Sequence, residues 1–141
     1  MQSSFRLEVA TPERMLINEA VTEAYIPGAD GYLGILPGHA PLLSEVGIGQ
    51  LDYTLVNGQK HLVVVQGGWV EIHGHHVRVL ANAAEMANEI DVERAQRALK
   101  RAMDRLNHKG EVDLARALNA ARRAQARLEA AKGMSPVSGP R

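Results

Sequence analysis

The chain has 141 residues, of which 45% are hydrophobic and 4% aromatic, a size and composition that fit one domain with an appendage and an aliphatic core. It contains no cysteine, which excludes disulfides and thiolate chemistry. The net charge is zero, but residues 1–90 carry 4 Lys or Arg against 10 Asp or Glu and residues 91–132 carry 11 against 6, which predicts two modules of opposite charge.

Strand patterns fill the chain up to about residue 85. Phe5, Leu7 and Val9 alternate with polar residues, the same alternation recurs at 51–55 and 77–79, and a β-branched run covers 63–65. Between the strands, Asn57-Gly58 is a strong hairpin signal, and Gly67-Gly68 indicates a bulge or a close backbone approach. Short strands without helices between them predict an antiparallel sandwich or a flattened barrel.

After residue 90 the hydrophobic period becomes helical. Asp91 is the expected N-cap of a first helix, and a second helix is expected from about 111 to 132, ended by Gly133. The tail, 133–141, is predicted to be disordered. The predicted apolar faces consist of Val92, Ala95, Leu99, Ala102, Met103 and Leu106 in the first helix and Leu114, Leu118, Ala121 and Leu128 in the second.

The helical hairpin is expected to be only marginally stable by itself. Much of its apolar face is alanine, so it buries little area against the entropy of ordering about forty residues. We therefore expect the hairpin to dock on the sandwich or on a partner, and to exchange one dock for the other.

No catalytic centre is visible in the sequence. It has no phosphate-binding loop, no dinucleotide fingerprint and no Ser-His-Asp grouping, so no catalytic residue is predicted. His73, His75 and His76 lie where a hairpin tip is expected; without carboxylates or cysteines at ligand spacing, a solvated turn is favoured and no metal site is predicted. There is no run of ~20 apolar residues and no signal-peptide pattern, which favours a soluble protein on the cytoplasmic side.

Arginines are the richest chemical feature of the helices. They either form a solvated face or are directed at an anion, which leaves nucleic acid, a nucleotide phosphate or an acidic protein surface as candidates. Nucleic acid is disfavoured because the helices lack aromatic residues and the whole chain is neutral.

The stretch GYLGILPGHAPL, residues 31–42, resembles the signature G-x-x-G-[IV]-x-P-x-H-x-P-L of the epsilon subunit of bacterial F-type ATP synthases. The resemblance continues through LEVATPER, GGWVEI, VRVLA and AAEMANEIDVERA, and covers roughly residues 5 to 130. It implies a β-sandwich of about ten strands over residues 1–88 and an antiparallel two-helix hairpin over residues 89–132.

The resemblance implies a non-catalytic subunit of the central stalk, part of the rotor of a proton-translocating ATP synthase. The sandwich is expected to bind the gamma shaft and the polar loops of the c-ring, peripheral to the cytoplasmic face of the bacterial plasma membrane. Many relatives carry an acidic residue at position 32, so the ring contact is expected to be less polar here. The expected partner-docking loop comprises Gly31, Tyr32, Gly34, Pro37, Gly38, His39, Pro41 and Leu42.

The hairpin is the inhibitory element of bacterial members of this family. Extended, it reaches the alpha and beta catalytic subunits and blocks ATP hydrolysis. Some members hold the folded hairpin by binding ATP through an I-D-x-x-R-A motif, which residues 90–95 match. No cofactor is required, but ATP is expected as a regulatory ligand of Glu85, Ile90, Asp91, Arg94, Arg101, Arg123 and Arg127.

Two other functions stay open from the sequence. One is a free-standing ATP-sensing or nucleic-acid-binding module with this fold. The other is a purely structural epsilon subunit whose hairpin never inhibits.

Overall fold

A computed structural model describes residues 3–107, 113–135 and 139–140 of the chain. Its first part contains seven strands, and a one-turn 3-10 helix, Ala87–Glu89, leads from them to two α-helices, α1 (Val92–Leu106) and α2 (Leu114–Ala131). The sandwich and the two helices predicted from the sequence are thereby confirmed. The strands are β1 (Phe5–Ala10), β2 (Met15–Gly28), β3 (Gly31–Ile35), β4 (Leu42–Glu45), β5 (Ile48–Leu55), β6 (Lys60–His73) and β7 (His76–Met86).

The sheet closes on itself, so the sandwich is also a flattened barrel. Its order is β1-β7-β6-β5-β2-β3, β4 pairs with β6, and β1 pairs with β2 as well as with β7. The pairing of β1 with β7 is parallel, whereas the sequence predicted an antiparallel fold. This closing pair joins strands from opposite ends of the domain, and no local turn signal reports it.

The described residues of the sandwich form seven strands, and two of them, with 14 residues each, serve both layers. In β6, residues 60–66 pair with β5, whereas residues 69–72 pair with β4. The change of partner occurs at Gly67 and Gly68, which have φ angles of 73° and 115°. A Cβ atom on Gly68 would lie 2.0 Å from the carbonyl oxygen of Leu80, so the predicted close backbone approach is confirmed.

The core of the sandwich is aliphatic, as the composition required. Alternate residues of each strand point inward, and valines of β6 and β7 fill the centre. Among the residues whose burial the structure describes, the buried polar ones are Gln50 and Asp52, both in β5. The predicted hairpin at Asn57-Gly58 is confirmed: the backbone N–H of Leu55 donates to the carbonyl of Gln59 at 2.8 Å.

Helix α2 packs on β5 and β6 of the sandwich, and α1 packs on α2. The buried positions are almost all alanine, which lets the backbones approach closely. Several of the larger apolar residues therefore lie outside, and the predicted helix faces were partly wrong: Leu114, Leu118 and Met103 are 59%, 44% and 47% exposed. Neither of these helices is long and apolar enough to cross a membrane. The buried helical residues are Ala95, Ala102, Ala117, Ala121, Ala124, Ala126, Leu128 and Ala130.

Both helices begin at an aspartate cap. Asp91 accepts a hydrogen bond from the backbone N–H of Arg94, and Asp113 accepts one from that of Arg116, each at 3.1 Å. The predicted start of the second helix, at 111, lies outside the described residues. Within the tail, Met134–Ser135 pairs with Gly139–Pro140, but strands of two residues are shorter than the usual 3–10, and disorder of the tail stays a prediction.

We expect Gly68→Ala to destabilise the sandwich strongly, because the added methyl group overlaps the backbone of β7. Gly31→Ala is the matched control: Gly31 has a similar φ of 134°, but its added methyl group would meet nothing within 4 Å. Urea unfolding should give a free energy of unfolding at least about 2 kcal/mol lower for Gly68→Ala than for Gly31→Ala. Equal losses would show that strain in φ, not the close approach, requires the glycine.

Candidate functional site

A cavity of about 290 Å³ lies where the end of β7 meets both helices. We name it the linker cavity, after the linker of residues 87–91 that joins β7 to α1. Charged side chains dominate its walls, with three carboxylates and three guanidinium groups. Its lining residues are Glu85, Glu89, Asp91, Arg94, Ala95, Ala98, Arg101 and Arg127.

The motif at residues 90–95 places its first two residues in structural roles. Ile90 packs against Val64 of the sandwich and against Ala126 and Ala130 of α2. Asp91 caps α1 and also lines the linker cavity, so its carboxylate holds the helix start at the edge of the cavity. Of these two residues, therefore, Ile90 fixes the linker on the sandwich and Asp91 faces the cavity.

Three arginines from two helices converge on the linker cavity. Arg94 and Arg101 are seven residues apart on α1, so they lie on the same face two turns apart. Arg127 comes from α2 and forms an ion pair with Glu85 of β7. Within the described parts of the chain, the guanidinium groups of Arg94 and Arg101 have no ion pair. These two groups are therefore free to bind an anion.

Glu89 is a wall residue that the sequence did not indicate. Its carboxylate receives two hydrogen bonds from Arg14, at 2.8 and 3.0 Å, and one from the backbone N–H of Met86 at 3.0 Å. The Arg14 guanidinium, and after it the Met86 N–H, hold the pKa of Glu89 below its usual range. Glu89 thus ties the linker to the turn between β1 and β2.

The candidate ligand residues do not all meet. Glu85, Asp91, Arg94, Arg101 and Arg127 share the linker cavity. Arg123, one turn before Arg127 on α2, is half-buried and is absent from the cavity walls, and Ile90 packs in the apolar cluster just described.

The candidate docking loop runs through β3, a turn and the start of β4. His39 Nδ1 lies 2.7 Å from the carbonyl oxygen of Ala40, and the backbone N–H of His39 donates to Leu36 at 3.2 Å, so His39 stabilises the turn. Of the predicted loop residues, Leu42 packs against the sandwich core. Gly31, Tyr32, Gly34, Gly38 and Pro41 are exposed, whereas Pro37, His39 and Leu42 are half-buried.

Tyr32 lies apart from the turn and contacts the helical side of the sandwich. Its hydroxyl oxygen accepts a hydrogen bond from the backbone N–H of Gln50 at 3.2 Å. Although the residue as a whole is 41% exposed, partial burial of the phenol is the main cause that raises the pKa of Tyr32. In this arrangement of the hairpin, Tyr32 lines a cavity against both helices.

An exposed apolar row crosses the outer face of the sandwich and was missed from the sequence. Trp69 and Leu80 are directly opposite on β6 and β7, and Leu43 is the diagonal neighbour of Trp69 on β4. These three side chains are 51%, 54% and 66% exposed. We name Leu43, Trp69 and Leu80 the apolar row; it begins at the end of the docking loop. Only the cross-strand register, which the sequence does not give, brings these residues together.

The histidine cluster forms a hairpin tip, as predicted. His73 pairs with His76 across the turn between β6 and β7. His76 Nε2 lies 3.2 Å from Glu8 on β1, and Arg78 binds the other oxygen of Glu8 at 2.9 Å. The described residues contain no group of three or more His, Asp or Glu side chains that is arranged to hold a metal.

Comparison with known families divides the chain at the same linker. Residues 4–87 match the family described as "ATP synthase, Delta/Epsilon chain, beta-sandwich domain", and residues 88–132 match "ATP synthase, Delta/Epsilon chain, long alpha-helix domain". The chain belongs to the ATP synthase delta/epsilon family. The resemblance to epsilon subunits noted in the sequence is thereby confirmed.

Two individual relatives of this chain are both named ATP synthase epsilon chain. The chain is 56% identical to the ATP synthase epsilon chain of Solibacter usitatus over 102 residues, which is 72% of this chain and 75% of that one. It is 53% identical to the epsilon chain of Carboxydothermus hydrogenoformans over 106 residues, 75% of this chain and 78% of the other.

The fold is also found in solved assemblies of ATP synthase. A chain of the mitochondrial ATP synthase of Euglena gracilis, from a structure of OSCP, F1 and c-ring, matches with a TM-score of 0.81 at 23% identity, covering 93% of this chain and 82% of that one. A chain of the central stalk and c-ring of the Tetrahymena thermophila enzyme matches with a TM-score of 0.58 at 16% identity, covering 95% and 98%. At these identities the likeness shows the shared fold.

We expect Arg14→Gln to raise the pKa of Glu89 toward its ordinary value, because the largest cause of the lowered pKa is removed. A carboxylate with a lowered folded-state pKa stabilises the fold above its unfolded pKa, and this stability is lost as the pH falls through the folded-state pKa. The variant should therefore lose less stability than the unmodified chain on acidification below about pH 4.5.

Carboxyl carbon NMR titration measures the change at Glu89. Glu8 is the internal control, since its pKa is lowered chiefly by Arg78 and should not move. An unchanged Glu89 pKa in Arg14→Gln would contradict the pairing.

Proposed function

We propose that the chain is a non-catalytic rotor subunit of a proton-translocating F-type ATP synthase, whose hairpin inhibits ATP hydrolysis and whose linker cavity binds ATP. It would act peripherally at the cytoplasmic face of the bacterial membrane. Membership of the delta/epsilon family across residues 4–132 is the observation that carries the rotor role. The solved relatives come from F1, c-ring and central-stalk assemblies, which supports the same assembly for this chain.

The sandwich is proposed to contact its partners through its outer face and through the docking loop. An apolar row of three side chains, each more than half exposed, is what a partner surface would cover. Leu36, in the loop, is a further exposed apolar side chain, at 61%. We assign the row to the gamma shaft, and the turn at Pro37 and Gly38 to the boundary between gamma and the polar loops of the c-ring.

The weak attachment of the hairpin to the sandwich supports the proposed inhibitory role. Alanine side chains form most of the face that α2 presents to the sandwich, and each buried methyl group contributes only about 0.8 kcal/mol. Two polar contacts add to it: the Gln50 amide donates to the carbonyl of Ala126 at 3.2 Å, and Arg127 pairs with Glu85. A small interface of this kind permits a second state in which the basic helices contact the alpha and beta subunits.

ATP binding is proposed from the charges of the linker cavity. Arg94 and Arg101 supply unpaired donors for the phosphates, where charge-assisted hydrogen bonds are strong. The carboxylates of Glu85 and Asp91 supply acceptors for the adenine or ribose. Because the cavity walls come from β7, the linker and both helices, a ligand inside would hold the hairpin folded.

We expect Leu43→Glu to weaken co-purification with the cognate gamma subunit by tenfold or more, because it places a charge in an apolar contact that the gamma subunit would bury. Val56→Glu is the matched control: Val56 is 61% exposed, but it lies at the turn between β5 and β6. Both variants should keep the free energy of unfolding within about 0.5 kcal/mol of the unmodified chain. Full gamma binding by Leu43→Glu would remove the row from the interface.

Calorimetric titration with ATP tests the linker cavity. Arg94→Gln and Arg101→Gln should each weaken ATP binding by about tenfold to a hundredfold, because each loses a charge-assisted hydrogen bond. Arg97→Gln is the matched control, since Arg97 is exposed on the same helix and does not line the cavity. Arg123→Gln, like Arg97→Gln, should leave the affinity for ATP unchanged, because Arg123 does not line the cavity.

Two results would contradict the assignment of ATP. Absence of ATP binding to the unmodified chain would leave Arg94 and Arg101 as solvated surface charges beside the ion pair of Arg127 with Glu85. Equal weakening by Arg97→Gln would show that the ligand responds to the net charge of α1 and not to this cavity.

A further inference from the structure

Gln50 is a polar side chain of the sandwich that lies beneath α2. In β5, Leu51 and Tyr53 belong to the sandwich core, so the alternate residue Gln50 points to the opposite face, toward the helix. Its neighbour across the sheet is Val64, which packs against α2. Gln50 is buried, with 1% exposure. The docked hairpin therefore covers an amide that would otherwise face water.

In the part of the chain that the structure describes, only one end of this amide is paired. The nitrogen Nε2 donates to the carbonyl of Ala126 at 3.2 Å, and the reverse orientation would place two oxygens together. The other end, the oxygen Oε1, is buried without a hydrogen-bond donor. Gln50 borders a cavity of about 450 Å³ between the sandwich and both helices, but Oε1 is buried away from it. Water in this cavity therefore does not supply the missing donor.

The unpaired oxygen is unfavourable in the docked state alone. Once α2 has left, both ends of the amide bond to water. A buried acceptor without a partner costs more free energy than one neutral hydrogen bond contributes, because that bond only replaces bonds to water. The carbonyl of Ala126 does not depend on the amide, since within α2 it also accepts the backbone N–H of Ala130. The balance at Gln50 therefore disfavours docking.

We propose that Gln50 sets how readily the hairpin leaves the sandwich, because its unpaired oxygen loosens the docked state. Gln50 is then a positioning residue, which acts on the catalytic subunits only through the hairpin. The alanine face and the ion pair of Arg127 with Glu85 hold the hairpin in place, whereas Gln50 adds a deficit that only release removes. The effect on docking rests on the amide alone, and the effect on ATP hydrolysis rests on the proposed function.

Hydrogen exchange of the full-length chain measures the docking equilibrium. The probes are the backbone amides of Ala121 and Ala124, in the middle of α2, and the reference amides are those of Leu7 and Val79 in the sandwich. A released alanine-rich hairpin is marginally stable, so its amides exchange through release, whereas the reference amides report the whole sandwich. The ratio of α2 protection between two variants then equals the ratio of their docking constants.

Gln50→Met keeps the length of the side chain and removes both polar ends. It should raise the protection of Ala121 and Ala124 about tenfold and leave the reference amides unchanged. Gln50→Glu should lower the α2 protection by more than about tenfold, because docking would bury an unpaired carboxylate against the carbonyl of Ala126. A general effect on the stability of the sandwich would instead move the reference amides.

Gln66→Met is the matched control. Gln66 lies two residues after Val64 in β6 and therefore on the same face of the sheet. It is only half-buried, and in the described structure its amide has no buried unpaired atom. The same substitution at this position should leave the protection of α2 within about twofold of that in the unmodified chain.

Unchanged or lower protection of α2 in Gln50→Met would overturn the proposal, because the bond to Ala126 would then hold the hairpin more strongly than the unpaired oxygen loosens it. Equal protection of α2 and the sandwich in the unmodified chain would also overturn it, since the hairpin would have no released state of its own.

The consequence for inhibition is measured with the cognate catalytic complex that lacks this subunit. At saturation, Gln50→Met should leave a higher rate of ATP hydrolysis than the unmodified chain, because a smaller fraction of its hairpins is released. Raised protection of α2 without this difference in rate would support the role of Gln50 in docking and contradict the proposed inhibitory function.

Discussion

The contact between the alanine face of α2 and the sandwich fixes where the helical hairpin lies on the sandwich. Ala126 and Ala130 lie on Val64, and the Ala126 carbonyl receives the Gln50 amide. Helix α1 packs on α2, so the position of the whole hairpin depends on this contact. Both cavities exist only because it is made, since each has walls from the sandwich side and from the helices.

The same contact explains why a strongly folded domain is joined to a weakly attached one. Large aliphatic side chains fill the sandwich, and the barrel is closed by hydrogen bonds between its first and last strands. Small side chains at the helix interface bring the backbones close but bury little area per residue. Charge attraction between the acidic sandwich and the basic hairpin acts over a longer range and favours docking without fixing its geometry. The ion pair of Arg127 with Glu85 then fixes α2 against β7 at one position.

The sequence predicted the features that local pattern controls. The alternation of apolar and polar residues predicted β1, and Asn57-Gly58 predicted the hairpin between β5 and β6. Asp91 predicted the start of α1. It did not predict the parallel pairing of β1 with β7, because strand order in a closed barrel depends on contacts between residues distant in sequence. Leu114 and Leu118 were expected inside on hydrophobicity alone, but the close approach of the helices selects alanine for the interface.

The candidate site was predictable to the extent that a motif marks it. The resemblance indicated Glu85, Asp91, Arg94, Arg101 and Arg127, which the fold brings to one cavity, as well as Ile90 and Arg123, which do not line it. Glu89 and Arg14 escaped notice because they meet only through tertiary structure, 75 residues apart. Gln50 gave no signal because an amide in a strand is ordinary until its burial is known.

The decisive measurement is the rate of ATP hydrolysis by the cognate catalytic complex that lacks this subunit, after addition of either the full-length chain or residues 1–88. Both proteins should co-purify with the gamma subunit, and that binding is the control. We expect inhibition by the full-length chain and none by the truncated one, because the hairpin must leave the sandwich to reach the catalytic subunits. Binding of both without inhibition, or equal inhibition by both, would contradict a regulatory hairpin and leave a purely structural stalk subunit.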